Sequence, residues 1–219
     1  FGASGAPVLE YIRWVMVRKR DEAAAAPADF VPPLAKTVAV ADIGKACPPL
    51  RGAAYDDGLA GSTQRFGGYA PGERIDHVDG MTVEEAEHQI ATRLFQNTAK
   101  VHFNQFAEGQ GRFGRRLVYG GHVISLARAL SFNGLANAFH IAGINAGRHV
   151  APLFAGDTVF AWSEILSRTA LPDRGDVGAL RVRTIATKNR PCANFPLRQG
   201  DGYDPAVILD LDYWVLAPR

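Results

Sequence analysis

The chain has 219 residues, a formal net charge of +2, 47% hydrophobic and 21% charged residues. That is enough apolar material for a real core in one or two domains. The charge is too small to imply a nucleic-acid partner, and no apolar run approaches the roughly 20 residues that cross a bilayer.

The chain opens FGASGAPVLEYIRW, without an initiating Met, and reads as a sequence entered midway. Nothing there has the basic, apolar, small-residue order of a signal peptide. Two cysteines, Cys47 and Cys192, are too few for a disulfide framework. They are expected as thiols of a cytoplasmic protein with no membrane association. Val8–Arg18 alternates and is rich in β-branched and aromatic residues, which predicts a strand. From Asp21 to about Pro71 the composition turns to Ala, Pro, Gly and Asp. Residues 21–70 are therefore expected to be a linker between two units, because fifty unstructured residues are unusual inside one domain.

Gly72–Gly80 predicts a short strand. Thr82-Val83-Glu84-Glu85 has the form of a capping box, with Thr82 as N-cap, and opens a helix to about Phe95. Gly121–Asn133 predicts a second helix, apolar on nearly every side except Arg128 and so expected to be buried. Asn133-Gly134 stops it. Strands follow at about Phe139–His149, Thr158–Ser167, Gly178–Lys188 and Ala206–Leu216, separated by the turn signals Ala155-Gly156-Asp157, Pro172-Asp173-Arg174-Gly175 and Gln199-Gly200-Asp201-Gly202. Leu180-Arg181-Val182-Arg183 alternates apolar inward, basic outward. The order implies an α+β domain over residues 71–219, an antiparallel sheet wrapped around one buried helix. The pattern of Glu10–Met16 echoes that of Asp210–Leu216, so residues 1–20 are expected to hold the closing strand of a first repeat whose body lies outside this sequence.

The chemistry concentrates in Arg93–Ser125. Asn97 stands five positions before His102, and eighteen positions after His102 a pair of glycines, Gly120-Gly121, opens the apolar helix. An imidazole can take and return a proton near neutral pH. Free backbone N–H groups at a helix start stabilise negative charge on a carbonyl oxygen. Together they suit enolate chemistry on a thioester. Asn97 can orient water but cannot accept a proton. His122, in the first turn of the helix, competes with His102 and is read as a neutral packed residue. His140 and His149 are read as structural or interfacial, and His77 and His88 lack metal-ligand spacing, so no metal is expected. Arg112, Arg115 and Arg116 crowd the loop before Gly120, and one of them, or Arg148, is a candidate fork for a substrate carboxylate. Arg181, Arg183, Lys188 and Arg190 are either a phosphate-binding set or an exposed face.

The Asn97…His102 pair, Val118-Tyr119-Gly120-Gly121 and Phe154-Ala155-Gly156-Asp157-Thr158, in this order of strands and helix, resemble the MaoC-like (R-specific) enoyl-CoA hydratases. The likeness extends through Tyr11–Arg20, Ile75–His88, Gly114–Gly134 and Gly178–Thr184. It implies the hotdog fold and a double-hotdog relative. It also implies reversible hydration of a branched dicarboxylic enoyl-CoA, with no cofactor beyond the coenzyme A of the substrate. In that family an Asp stands where this chain has Asn97, so the acid–base pair is not carried over whole. His102, Asn97 and Gly120 are the implied catalytic residues, and Gly121 is an implied substrate contact. Glu108 is a candidate for the missing carboxylate. The resemblance further implies a site formed between two hotdog units, hence a homodimer or larger homo-oligomer. Two rivals remain open: an acyl-CoA thioesterase on the same scaffold, and a non-catalytic acyl-CoA-binding or oligomerising half.

Overall fold

The computed structural model of the chain describes residues 1–15, 19–49, 51–172 and 174–219. Two compact units appear, Phe1–Leu34 and Ala35–Arg219. Among the described residues the first unit has neither helix nor strand. The predicted strand is therefore absent over residues 8–15, where Val8, Leu9, Tyr11 and Trp14 are exposed, and residues 16–18 lie outside the described residues. Strand propensity is a preference for a pleated, half-buried surface, and in this unit no neighbouring strand supplies one.

The second unit begins where a linker was expected. Helix α1 (Val40–Lys45), a 3-10 turn at Gly52–Ala54, helix α2 (Asp57–Ala60) and a turn at Phe66–Gly68 occupy the second half of that segment. Ile43 is fully buried, in a cluster with Val177, Ala179, Trp214 and Leu216 of the sheet. Asn145 Oδ1 accepts the Val38 N–H at 2.8 Å, and Asp176 accepts the Gly52 N–H at 2.6 Å. A few spaced apolar residues anchor this Pro- and Gly-rich stretch, which is why composition alone misreads it. Leu50, in the same stretch, is outside the described residues.

Strand β1 (Arg74–Asp76) and strand β2 (Met81–Thr82) lead to helix α3 (Glu85–Leu94). The capping box does not form. Thr82 pairs with Thr158 in the sheet and the two hydroxyls share a 2.8 Å hydrogen bond, so Glu84 takes the N-cap position with no side-chain cap. A 3-10 turn at Lys100–His102, helix α4 (Gln105–Glu108) and helix α5 (Gly120–Leu130) follow. After α5 the chain kinks through Asn133 and Gly134 into helix α6 (Phe132–Leu135), where Gly134 has φ 103°. Then come β3 (His140–His149), β4 (Thr158–Leu171), β5 (Arg174–Lys188), the short hairpin of β6 (Arg198–Gln199) and β7 (Gly202–Tyr203), and β8 (Val207–Pro218). The four predicted strands thus appear, β4 and β5 longer than expected and β3 and β8 each starting one residue later; of the predicted turn at 172–175, Asp173 is outside the described residues.

The sheet is antiparallel, in the order β1-β4-β5-β8-β3, with β2 also on β4. Alternation divides it into two faces. One face packs Val159, Ile165, Leu180, Val182, Leu211 and Val215 against Val123, Leu126, Ala127 and Leu130 of α5. On the other, Arg181 pairs with Asp212 at 2.6 Å and Arg183 with Asp210 at 2.7 Å. Arg190 pairs with Asp204, and Lys188 Nζ donates to Pro152 O at 2.6 Å. The basic set is thus committed within the chain. Helix α5 buries one face only: Ser125 and Ala129 are exposed, so the apolar helix is not enclosed all round by this chain. The hotdog arrangement, a sheet curled about a central helix, is otherwise as the sequence implies.

A buried polar chain crosses this core. His77 Nδ1 lies 2.6 Å from Asn133 O, His77 Nε2 2.8 Å from Ser163 Oγ, Ser163 2.8 Å from Thr184 Oγ1, and Thr184 2.9 Å from Tyr213 OH. A carbonyl only accepts, so Nδ1–H donates and Nε2 accepts from Ser163; the imidazole is neutral. Burial pushes its pKa down to about 4 against the Asn133 carbonyl bond, which favours the charged form. The unfolded chain, with an ordinary histidine, therefore binds a proton first as pH falls. Stability is fully present above about pH 6.5 and is lost progressively toward pH 4, by on the order of 3 kcal/mol from this residue. Denaturant titrations at pH 7 and pH 4.5 should show that loss, and His77→Gln should flatten it; an equal slope in the variant would assign the loss to other groups.

Candidate active site

His102 ends its 3-10 turn half-buried, tied by three contacts. Its Nδ1 lies 3.1 Å from Leu117 O, Gln89 Nε2 donates to its backbone carbonyl at 2.7 Å, and its ring stands edge-on to Tyr119 with centroids 5.7 Å apart. Leu117 N–H returns to Val101 O at 2.9 Å, so the two segments are laced together. Because Leu117 O can only accept, the Nδ1 proton is fixed there, and Nε2 is the nitrogen left to exchange protons.

Tyr119 is the N-cap residue of α5 and gives no side-chain cap. Neither Gly120 nor Gly121 N–H has a protein acceptor among the described residues. At both glycines a side chain would crowd its surroundings. A Cβ on Gly120 would lie 2.7 Å from His149 Nε2, and one on Gly121 would lie 2.6 Å from the Tyr119 ring. An imidazole and a phenol thus border the two free amides. His149 comes from the end of β3, whose alternation turns it toward α5. Desolvation lowers its pKa, and the nearby charge of His102 lowers it further, although its edge remains exposed to solvent. This residue was read from the sequence as structural or interfacial. No local signal marks it, since the sheet brings it to Gly120 from 29 positions away.

Asn97 Oδ1 accepts the Ala99 N–H at 2.9 Å, which shapes the turn that delivers His102. His122 turns toward α3 and bonds Glu87 at 2.9 Å. His88 of α3 is almost fully buried. Burial lowers its pKa, Glu85 opposes this, and Arg116, His122 and His102 add to it. Arg116 is held by Glu85 and by Phe103 O. Arg115 lies over the Phe154 ring at 4.0 Å and Arg112 over Phe113 at 5.2 Å, both without a carboxylate partner among the described residues. Glu108 is buried and folds over Gly111. Arg148 faces the other way from its neighbour His149, on the face of its register partner Asp210, and its charge is felt at Tyr203. The structure therefore gathers His102, Gly120 and Gly121, keeps Arg112 and Arg115 with uncommitted guanidinium groups, and puts Arg148 on the far face of the sheet. Among the described residues no group of three His, Cys, Asp or Glu is placed to hold a metal ion, and no helix is long and apolar enough to cross a membrane.

No family model matches the chain. It is 64% identical over 214 residues to the beta-methylmalyl-CoA dehydratase of Chloroflexus aurantiacus, covering 97% of this chain and 60% of that protein. To the mesaconyl-CoA hydratase of Cereibacter sphaeroides it is 59% identical over 217 residues, covering 98% of this chain and 61% of that protein. The chain thus spans about 60% of the length of the curated relatives it matches. A crystal structure from Chloroflexus aurantiacus described as a MaoC domain protein dehydratase superposes with a TM-score of 0.86 at 61% identity, over 93% of this chain and 58% of that one. The MaoC-like dehydratase of Rhodospirillum rubrum, 19% identical, shares the fold with a TM-score of 0.57 over 71% of this chain and 97% of its own. Along nearly its whole length the chain is thus similar to these dehydratases and hydratases, and its sheet and helix have the hotdog fold of the MaoC-like structures.

Proposed function

We propose that the chain forms the hydratase unit of an enzyme that interconverts mesaconyl-CoA and β-methylmalyl-CoA. The names of the two relatives supply the substrate pair. The observation that carries the chemistry is His102, its Nδ1 proton fixed on Leu117 O, beside the uncapped start of α5. In hydration the thioester oxygen accepts from Gly120 N–H, water adds to the β-carbon, His102 Nε2 receives the water proton, and the resulting enolate takes up a proton at the α-carbon; dehydration reverses this. Asn97 acts by shaping the loop that presents His102. Arg112 and Arg115 are the forks free to read the substrate's own carboxylate. The reaction needs no cofactor beyond the coenzyme A of the substrate, and the place for such chemistry is the cytoplasm. The test is mesaconyl-CoA conversion followed by product mass. Addition of one water supports the reading, release of free coenzyme A thiol would make the protein a thioesterase, and tight binding without turnover would leave a binding half.

The working form is proposed to be two hotdog units joined side by side. Among the described residues no strand pairs with the outer edge of β3, where Ile141 and Ile144 are exposed, and the exposed face of α5 and Phe132 offer further apolar surface. Unsatisfied strand edges and apolar surface favour pairing. Light scattering should give a dimer or larger assembly, and Ile144→Lys should shift it to monomer; a monomeric wild-type chain would remove this part of the proposal.

A further inference from the structure

Resting on the hydratase reading, we infer that His149 is a second catalytic residue, the group that moves the proton at the α-carbon. Each turnover moves two protons. One leaves water as its oxygen bonds to the β-carbon; the other arrives at the α-carbon as the C=C electron pair, held meanwhile as the thioester enolate, forms the new C–H bond. Asn97 can carry neither proton, because an amide is not a base in water. His102 serves the β-carbon.

The α-carbon is bonded to the carbonyl carbon whose oxygen docks on Gly120 N–H. His149 is the side chain that lies on Gly120, with Nε2 nearest, 2.7 Å from where a Cβ would be. Tyr119, edge-on to His102, covers Gly121. The two imidazoles thus approach the start of α5 from different elements, His102 against the Tyr119 ring from the loop before α5 and His149 against Gly120 from the end of β3. Desolvation favours neutral His149, and the charge of His102 acts in the same direction. A neutral Nε2 is what α-proton removal requires in dehydration. His102 then donates a proton to the leaving hydroxyl, which departs as water. Hydration runs the same transfers backward, and solvent returns the two rings to their starting charges.

The test separates the α-proton from the β-carbon. 2-Methylsuccinyl-CoA has an acidic α-C–H but no hydroxyl to lose. In D2O the wild-type protein should exchange that hydrogen for deuterium, read by mass. His149→Gln should exchange at least about 100-fold more slowly and lose hydratase turnover to a similar degree. His102→Ala should keep the exchange while losing turnover. Both variants should bind the analogue as wild type does, which excludes misfolding. Wild-type exchange rates in His149→Gln, or no exchange by the wild-type protein, would overturn the role of His149 while leaving the hydratase reading to its own assay. Exchange without hydration of mesaconyl-CoA would do the reverse.

Discussion

His102→Ala is expected to lower kcat/KM for mesaconyl-CoA hydration by about 10³-fold, within the range that positioned acid–base groups supply. The basis is geometric. Leu117 O fixes the tautomer, Gln89 and the Val101–Leu117 hydrogen bond fix the backbone, and Tyr119 limits rotation of the ring. Of these ties, the one from Gln89 and the one between Val101 and Leu117 run to backbone atoms and survive the substitution. The variant should therefore unfold at nearly the wild-type temperature, with its loss in kcat rather than in KM. His102→Gln should be as inactive, since an amide fills the place without moving a proton. Substantial activity in either variant would end the assignment of His102.

Gly120→Ala is expected to cost about 100-fold in turnover with little change in stability. The added methyl would sit 2.7 Å from His149 Nε2 and 3.0 Å from its Cε1, closer than carbon and nitrogen tolerate. Either the imidazole moves away or the first turn of α5 moves, and the latter displaces the amide aimed at the thioester oxygen. Removal of one such donor typically costs about 10²–10³-fold. Alanine is the better helix former, and His149 has an exposed edge into which to shift, so the fold itself has little to lose. Fluorescence-monitored denaturation run beside the kinetics separates the cases. A collapse of stability would make Gly120 a packing residue, and unchanged kinetics would place the oxyanion elsewhere.

The sheet was legible because period-2 alternation survives in a sheet with one face on a helix, as in Leu180 to Arg183. The Gly-Gly helix start was legible because its signal is local. What failed was decided by partners distant in sequence. Thr82 looked like a cap until Thr158 took its hydroxyl, and residues 35–70 looked like a linker although Ile43 and Phe66 are buried in the clusters of the fold. Arg148 and His149 adjoin in sequence, yet the pleat sends them to opposite faces. Arg148 therefore shares the face of Asp210, and His149 the face of Leu209. The basic residues of β5 could not be assigned before Asp210 and Asp212 were known to lie beside them. Burial of Asp210 opposes its ionisation, but Arg183 and Tyr203 hold its carboxyl below the usual range.

The bare start of α5 has one more consequence. A helix whose first N–H groups meet no side chain is an incomplete helix, and in the proposed hydratase the acyl group becomes the missing terminal residue. Occupancy of the pocket and ordering of that first turn are then one equilibrium. A thioester that fits also finishes the protein's central helix, and one that does not fit leaves its end to water.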